Sequence, residues 1–218
     1  MSYDLTFSKL EFGSLLSYST HGSSEPERDA REVMLLIKGD KYFQDPPILM
    51  SRFITDLIIK DATLPFAHFF DTETILVPVP NSSLMKDHSL WVPHRIASAL
   101  HDRGFGIGVA EMLRRKIPLQ KAATSLPENR PKAAQHCQSL EVQDILMVPK
   151  QILLIDDIVT RGATLLGAAN KLKKAYPDVT IRAFCAMRAI SHTEDFQDVY
   201  DPCFGYITLI GDETYRNP

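Results

Sequence analysis

The chain has 218 residues, 44% of them hydrophobic, and a formal net charge of −3, which suits one domain with a substantial core. A charge so near neutral gives no global case for nucleic acid or an acidic membrane surface as a partner, and no apolar run approaches the roughly 20 residues of a membrane span. Cys137, Cys185 and Cys203 lie far apart without CxxC spacing, which predicts reduced thiols in a cytoplasmic protein rather than a disulfide frame or a zinc site.

The first twelve residues, MSYDLTFSKLEF, lack a basic start followed by an apolar core, so no secretory signal is expected. Leu5, Phe7, Leu10 and Phe12 hint at a strand or short helix, and Ser17 to Glu27 reads as a polar loop. A helix is predicted from near Pro26, with Ala30, Val33, Met34 and Ile37 on one buried face and Gly39 as its stop. Lys38 and Lys41 flank its end, where cations complement the helix dipole; reaching a ligand phosphate is the lesser alternative. Asp45 is expected to cap a second amphipathic helix with Pro46 in its first turn and Leu49, Met50, Phe53, Ile54, Leu57 and Ile58 buried.

Thr74 to Pro80 reads as a buried strand ended by Pro78 and Pro80, and Asn81, Ser82 and Ser83 follow as a loop. A helix is predicted over Ser89 to Arg103, and a weak strand over Gly108 to Leu113. Trp91 is expected to pack beneath the 81–83 loop. Arg114 to Gln138 carries Arg114, Arg115, Lys116, Lys121, Arg130 and Lys132 against Glu128 alone, and reads as a long basic loop. Ser139 to Val142 is its returning strand. A helix follows from Thr164 to Ala175, then a buried strand over Thr180 to Met187 and a final strand over Phe204 to Ile210. Phe196, Tyr200, Phe204 and Tyr206 are expected to pack; stacking on a nucleobase is the lesser alternative.

Ile152 to Thr164, ILLIDDIVTRGAT, is the most informative stretch. Its unbroken apolar run reads as a strand buried on both faces of a parallel sheet. Asp156 and Asp157 stand at its carboxyl end, where open α/β sheets bind ligands, and such acids are costly there unless something uses them. Thr160, Arg161, Gly162, Ala163 and Thr164 bring two hydroxyls, a guanidinium and backbone N–H groups to a helix N-terminus, which is a phosphate cradle. Acids for sugar hydroxyls beside a phosphate cradle point to a phosphorylated sugar.

These thirteen residues resemble the phosphoribosyl diphosphate (PRPP) motif of type I phosphoribosyltransferases. The resemblance implies an α/β fold with a mostly parallel central sheet flanked by helices, and a hood supplied from outside the core. It divides one domain, 1–218, into an N-terminal helical or hood part (1–70), a PRPP-binding core (71–190) and a C-terminal extension (191–218). Asp156 and Asp157 would hold the ribose 2′- and 3′-hydroxyls and act in catalysis with Lys121, a choice made with Gln120 from the middle of the basic loop. Residues 160–164 would hold the 5′-phosphate, and Asn81, Ser82, Ser83 and Arg115 the pyrophosphate. The implied cofactor is Mg²⁺, met indirectly by Asp156 and Asp157 through ribose or water. The implied reaction is transfer of the phosphoribosyl group from PRPP to a small nitrogenous acceptor, a nucleobase or ammonia, with release of pyrophosphate.

VPVP before the 81–83 loop, and RRKIPLQKA followed by Arg130, are similar to the ComF-like branch, near the amidophosphoribosyltransferase-like domains. Those chains usually carry an arginine-rich stretch after VPVP and often a zinc ribbon. Here SSLMKDHSLW follows, with no zinc cysteines, which places the resemblance in a neighbouring branch. A non-catalytic PRPP- or nucleotide-binding module, regulatory or competence-related, is the alternative implied. A nucleic-acid contact through the basic 114–132 loop is a weaker one. Dimers are frequent in the family, so a homodimer is compatible with the resemblance.

Overall fold

A computed structural model describes residues 5–86, 88–120, 129–145 and 149–218. The chain begins with a long strand, β1 (Lys9–Ser19), where the sequence indicates a short element and then a loop from Ser17. Ser14, Ser17 and Ser19 are fully buried in it, and the Ser17 hydroxyl donates to the Asp198 carbonyl at 2.8 Å. Serines whose hydroxyls find partners sit in a buried strand without penalty, although in sequence they read as loop.

Helix α1 (Glu25–Gly39) follows as expected, with the Glu27 carboxylate accepting from the Ser24 N–H at 2.9 Å. It ends at Asp40, whose φ of 41° turns the chain into a small hairpin, β2 (Tyr42–Phe43) and β3 (Ile48–Leu49). Asp45 and Pro46 form the turn of that hairpin and do not cap a helix. The amphipathic helix α2 (Met50–Lys60) starts only after the hairpin closes. Next come β4 (Thr74–Pro78), α3 (Val92–Asp102) and a two-residue β5 (Gly108–Val109), the last two shorter than expected.

Both ends of the segment 114–138 are regular structure. Strand β6 (Leu113–Arg115) precedes helix α4 (Ala133–Ser139), and β7 (Leu140–Val142) pairs antiparallel with β6. Charged residues hid β6, because one of its two inward side chains, beside Leu113, is Arg115. The motif strand β8 (Gln151–Val159) leads into α5 (Ala163–Ala175), and then β9 (Thr180–Ile190), β10 (Tyr200–Ile210) and β11 (Glu213–Asn217) complete the chain.

The protein is α/β. Among the described residues its main sheet has seven strands in the order β11-β10-β1-β9-β8-β4-β5, parallel from β1 to β5 and antiparallel where β10 and β11 join. The C-terminal residues 200–217 are thus an edge of the same sheet. β8 shows how the two layers form. Ile152 and Leu154 feed one core with α5, while Leu153 and Ile155 feed the other, with α2 and α3. That accounts for an apolar run without polar alternation. Among the described residues, no helix is long and apolar enough to cross a membrane.

Because β1, β9, β8 and β4 run parallel, their carboxyl ends lie along one edge. Residues 18–21, 188–191, 156–160 and 78–83 are brought together there from four separate stretches of sequence.

Candidate functional site

The acid pair is exposed to that edge by a departure in the sheet. The β4–β8 ladder ends at Pro78 opposite Ile155, and its last bond runs from the Val79 N–H to the Ile155 carbonyl at 2.9 Å. Pro80 can donate no further bond. β8 continues alone against β9, with Asp156 opposite Cys185, so one flank of Asp156 and Asp157 opens to the space that β4 vacates. Both acids are half-buried. The Asp157 N–H donates to Asp156 Oδ1 at 2.9 Å, and the Ile158 N–H to Asp157 Oδ1 at 2.7 Å. Burial, and then the neighbouring charge of Asp157, hold the Asp156 carboxyl well above the usual carboxylate range, partly offset by Lys38. Cys185 lies beneath; burial first and then both acids push its thiol far up, which makes it an inert packing residue.

The 160–164 loop turns at Gly162, where φ is 84°. A Cβ there would stand 2.6 Å from Ile207 Cδ1, so glycine answers both a left-handed backbone and a close approach. The thirteen-residue helix α5 starts directly after it, and its first-turn N–H groups have no helical acceptor. The C-terminal strand holds this loop from outside. Arg216 Nε donates to the Thr160 carbonyl at 2.7 Å, and its Nη2 to the Ala189 carbonyl. Glu213 pairs with Arg161 at 3.3 Å and with Lys132 at 3.0 Å. From α4, His136 Nε2 lies 3.4 Å from the Thr164 hydroxyl. Burial, and then Arg115, push the His136 pKa down to about 3, so its ring is neutral near pH 7.

Across the opening, the 80–83 loop rests on Arg115. This buried guanidinium donates from Nε to the Asn81 carbonyl at 2.9 Å, from Nη2 to the Pro80 carbonyl at 3.3 Å, and from Nη1 to the Ser139 hydroxyl. Burial lowers its pKa to about 10, opposed by Asp156, so it stays charged. The Trp91 indole N–H donates to the Val79 carbonyl at 2.8 Å, which puts Trp91 against this loop. Asn81 uses its amide to close the loop on the Leu90 carbonyl at 3.1 Å.

Together these parts border a cleft of about 920 Å³, in the range of small-molecule sites. Asp156, Asp157, Thr160, Arg161, Thr164, Asn81, Ser82, Ser83 and Arg115 line it. Gly162 and Ala163 border an adjoining recess of about 40 Å³. Lys121 lies outside the described residues, while its neighbour Gln120 and Arg130 both line the cleft. Tyr18, Thr20 and His21 at the end of β1, with Arg31, Met34 and Lys38 on α1, supply a wall of which sequence reasoning had considered only Lys38 for a ligand, as the lesser alternative. The signal was present as two cations at 31 and 38 on one side of the helix, but only the strand character of β1 shows where that side points.

Among the described residues there is no group of three or more His, Cys, Asp or Glu that would cage a metal. The acids that exist, two adjacent carboxylates with one strongly disfavoured as a bare charge, fit a Mg²⁺ ion held beside them through water rather than one caged by side chains. No protein-family model and no curated protein matches the sequence.

Proposed function

We propose that this chain is a Mg²⁺-dependent phosphoribosyltransferase of the type I kind, which moves the phosphoribosyl group of PRPP to a nitrogen nucleophile and releases pyrophosphate. One observation carries the reading. An acid pair, a glycine turn at a helix N-terminus and a braced loop after a proline-ended strand meet around one cleft of about 920 Å³.

In this reading Asp156 and Asp157 accept hydrogen bonds from the ribose hydroxyls, which relieves a carboxylate that burial disfavours. Residues 160–164 hold the 5′-phosphate with first-turn N–H groups and the Thr160 and Thr164 hydroxyls. The 81–83 loop, kept in place by Arg115, receives the pyrophosphate. Mg²⁺, when bound beside Asp156 and Asp157, neutralises charge on the departing pyrophosphate. The C1–oxygen bond breaks and its electron pair leaves with pyrophosphate. The acceptor nitrogen's lone pair forms the new C1–N bond, and its proton passes to water. The acid pair favours the positive charge that develops at C1, and positioning supplies the rest.

The test is pyrophosphate release from PRPP and Mg²⁺ over a panel of nucleobases and ammonia, for wild type and Asp157→Asn. Acceptor-dependent release that falls by about a hundredfold or more in the variant is expected. Turnover that survives in Asp157→Asn would remove that residue from its role. A second reading, a PRPP- or nucleotide-binding module without turnover, is favoured by Arg115, whose guanidinium is engaged by backbone carbonyls of the loop. PRPP binding with no release across the panel selects it.

A further inference from the structure

The wall formed by β1 and α1 has a chemistry of its own. Helix α1 leaves the end of β1 and reaches α3, where Asp40 accepts from Arg95 Nη1 at 3.1 Å. Arg31, Met34 and Lys38, spaced three and four residues apart, share one helix face, and that face lines the cleft. Arg31 Nη1 is buried and, among the described residues, has no hydrogen-bond partner. Glu27, one turn earlier, feels the charge of Arg31, but its carboxylate is engaged by the N–H and hydroxyl of Ser24. A buried guanidinium N–H without an acceptor is costly, and such groups are met by a ligand or water. Among the described residues lining the cleft, the only carboxylates are Asp156 and Asp157; Asp156 feels the charge of Lys38, and neither acid is paired with Arg31.

Beside these cations the wall offers apolar surface. Tyr18 and Met34 present an aromatic ring and a thioether, with Ala189 from the end of β9. Tyr18 connects the wall to the acid pair: burial first, and then Asp157, raise its pKa, so its hydroxyl stays protonated next to the place where ribose would lie.

We propose that Tyr18, Arg31, Met34 and Lys38 form the acceptor subsite, and that the acceptor is a planar nitrogen heterocycle carrying a carboxylate. This inference rests on the phosphoribosyltransferase reading and names its substrate class. The ring lies against Tyr18 and Met34, and the carboxylate meets the Arg31 guanidinium, whose planar fork suits that group, with Lys38 adding charge. An uncharged base offers Arg31 Nη1 only a neutral carbonyl or ring nitrogen, which a guanidinium binds about half as strongly as a carboxylate and without the two-pronged match to its planar fork.

The experiment uses matched pairs that differ in charge: nicotinate against nicotinamide, and orotate against uracil. Binding of each probe to the protein–PRPP–Mg²⁺ complex and pyrophosphate release are measured for wild type, Arg31→Gln and Lys38→Gln, with PRPP affinity determined separately for each. The charged member of at least one pair is expected to bind and react in preference to its uncharged partner. Its Kd or KM should rise about tenfold or more in Arg31→Gln, as befits loss of a hydrogen bond to a charged group. PRPP affinity should stay within about twofold, which also shows that the variants fold. Three results overturn the inference while leaving a PRPP-binding protein. These are preference for uncharged members or ammonia, no carboxylated probe bound to the PRPP complex, or loss of PRPP affinity itself in the Arg31 and Lys38 variants. Failure of wild type to bind PRPP removes the phosphoribosyltransferase reading and this inference with it.

Discussion

Gly162 is the position where backbone and packing demands coincide, and Gly162→Ala puts a number on both. At φ 84° an alanine takes the left-handed region, at a cost of about 1–2 kcal/mol. Its Cβ would also stand 2.6–2.7 Å from three carbons of Ile207, which is fully buried. Relieving such an overlap requires Ile207 or the loop to move by most of an ångström, and overpacking of this kind costs about 1–3 kcal/mol. The expected loss is about 2–5 kcal/mol, a large part of an ordinary domain's stability. Urea unfolding would read it as a fall of about 1–2 M in the midpoint at unchanged slope. A double-mutant cycle with Ile207→Ala separates the two contributions. The truncation removes the overlap but not the backbone strain, so the double variant should be more stable than the sum of the single losses by about 1–3 kcal/mol. Additivity within about 0.5 kcal/mol would refute the overlap with Ile207 as a cause.

The site also predicts an unusual pH response. The Asp156 pKa is raised above its unfolded value of 3.8 by burial and then Asp157, so the folded state keeps a proton that the unfolded state has lost, and stability falls as pH rises above about 4. His136 is depressed from 6.5 to about 3 by burial and then Arg115. The unfolded state therefore holds the extra proton between those values, and stability rises with pH through that window. Each slope is about 1.4 kcal/mol per pH unit and they have opposite signs, so in wild type they offset each other as pH rises above about 4. Asp156→Asn should gain stability with pH there and His136→Asn should lose it; parallel profiles for all three proteins would sink the pairing. Arg115→Met should cost about 2–4 kcal/mol, because it strands the Pro80 and Asn81 carbonyls, and it should speed amide exchange across 79–83. Unchanged exchange in that loop would show that the carbonyls are held by something else. Arg216→Met should weaken PRPP binding about tenfold by releasing the Thr160 carbonyl, whereas Glu213→Gln, an exposed pair, should change stability by less than about 1 kcal/mol. Equal effects of the two substitutions on PRPP binding would argue against the bond to the Thr160 carbonyl as the main brace.

The parts of the site that were legible in sequence are local. Ile152 to Thr164 carries strand, acids, turn and helix start within thirteen consecutive residues, and the structure keeps them in that order. The 81–83 loop was legible for the same reason, since two prolines end a strand wherever it sits. Asp45 and Pro46 show the limit of local rules. A capping acid before a first-turn proline is a sound helix signal, and the same pair also makes a hairpin turn once Tyr42 and Phe43 find Ile48 and Leu49.

The remaining parts were hidden because their meaning is non-local. Arg115 has no pattern that marks it as buried. It becomes an internal brace only when β6 pairs with β7, twenty-odd residues away, and aims it at the carbonyls of the 80–83 loop. Likewise Arg216 supports the 160–164 loop from a strand that begins about fifty residues after that loop. Neither residue is marked by composition or spacing. A guanidinium with several donors can satisfy two or three backbone carbonyls at once, so a single arginine can hold a loop that has no regular structure of its own. The cleft's chemistry thus lies in short contiguous motifs, while its shape depends on arginines placed by distant strand pairing. Substitutions at Arg115 and Arg216 therefore test the architecture of the site separately from the groups that would touch a ligand.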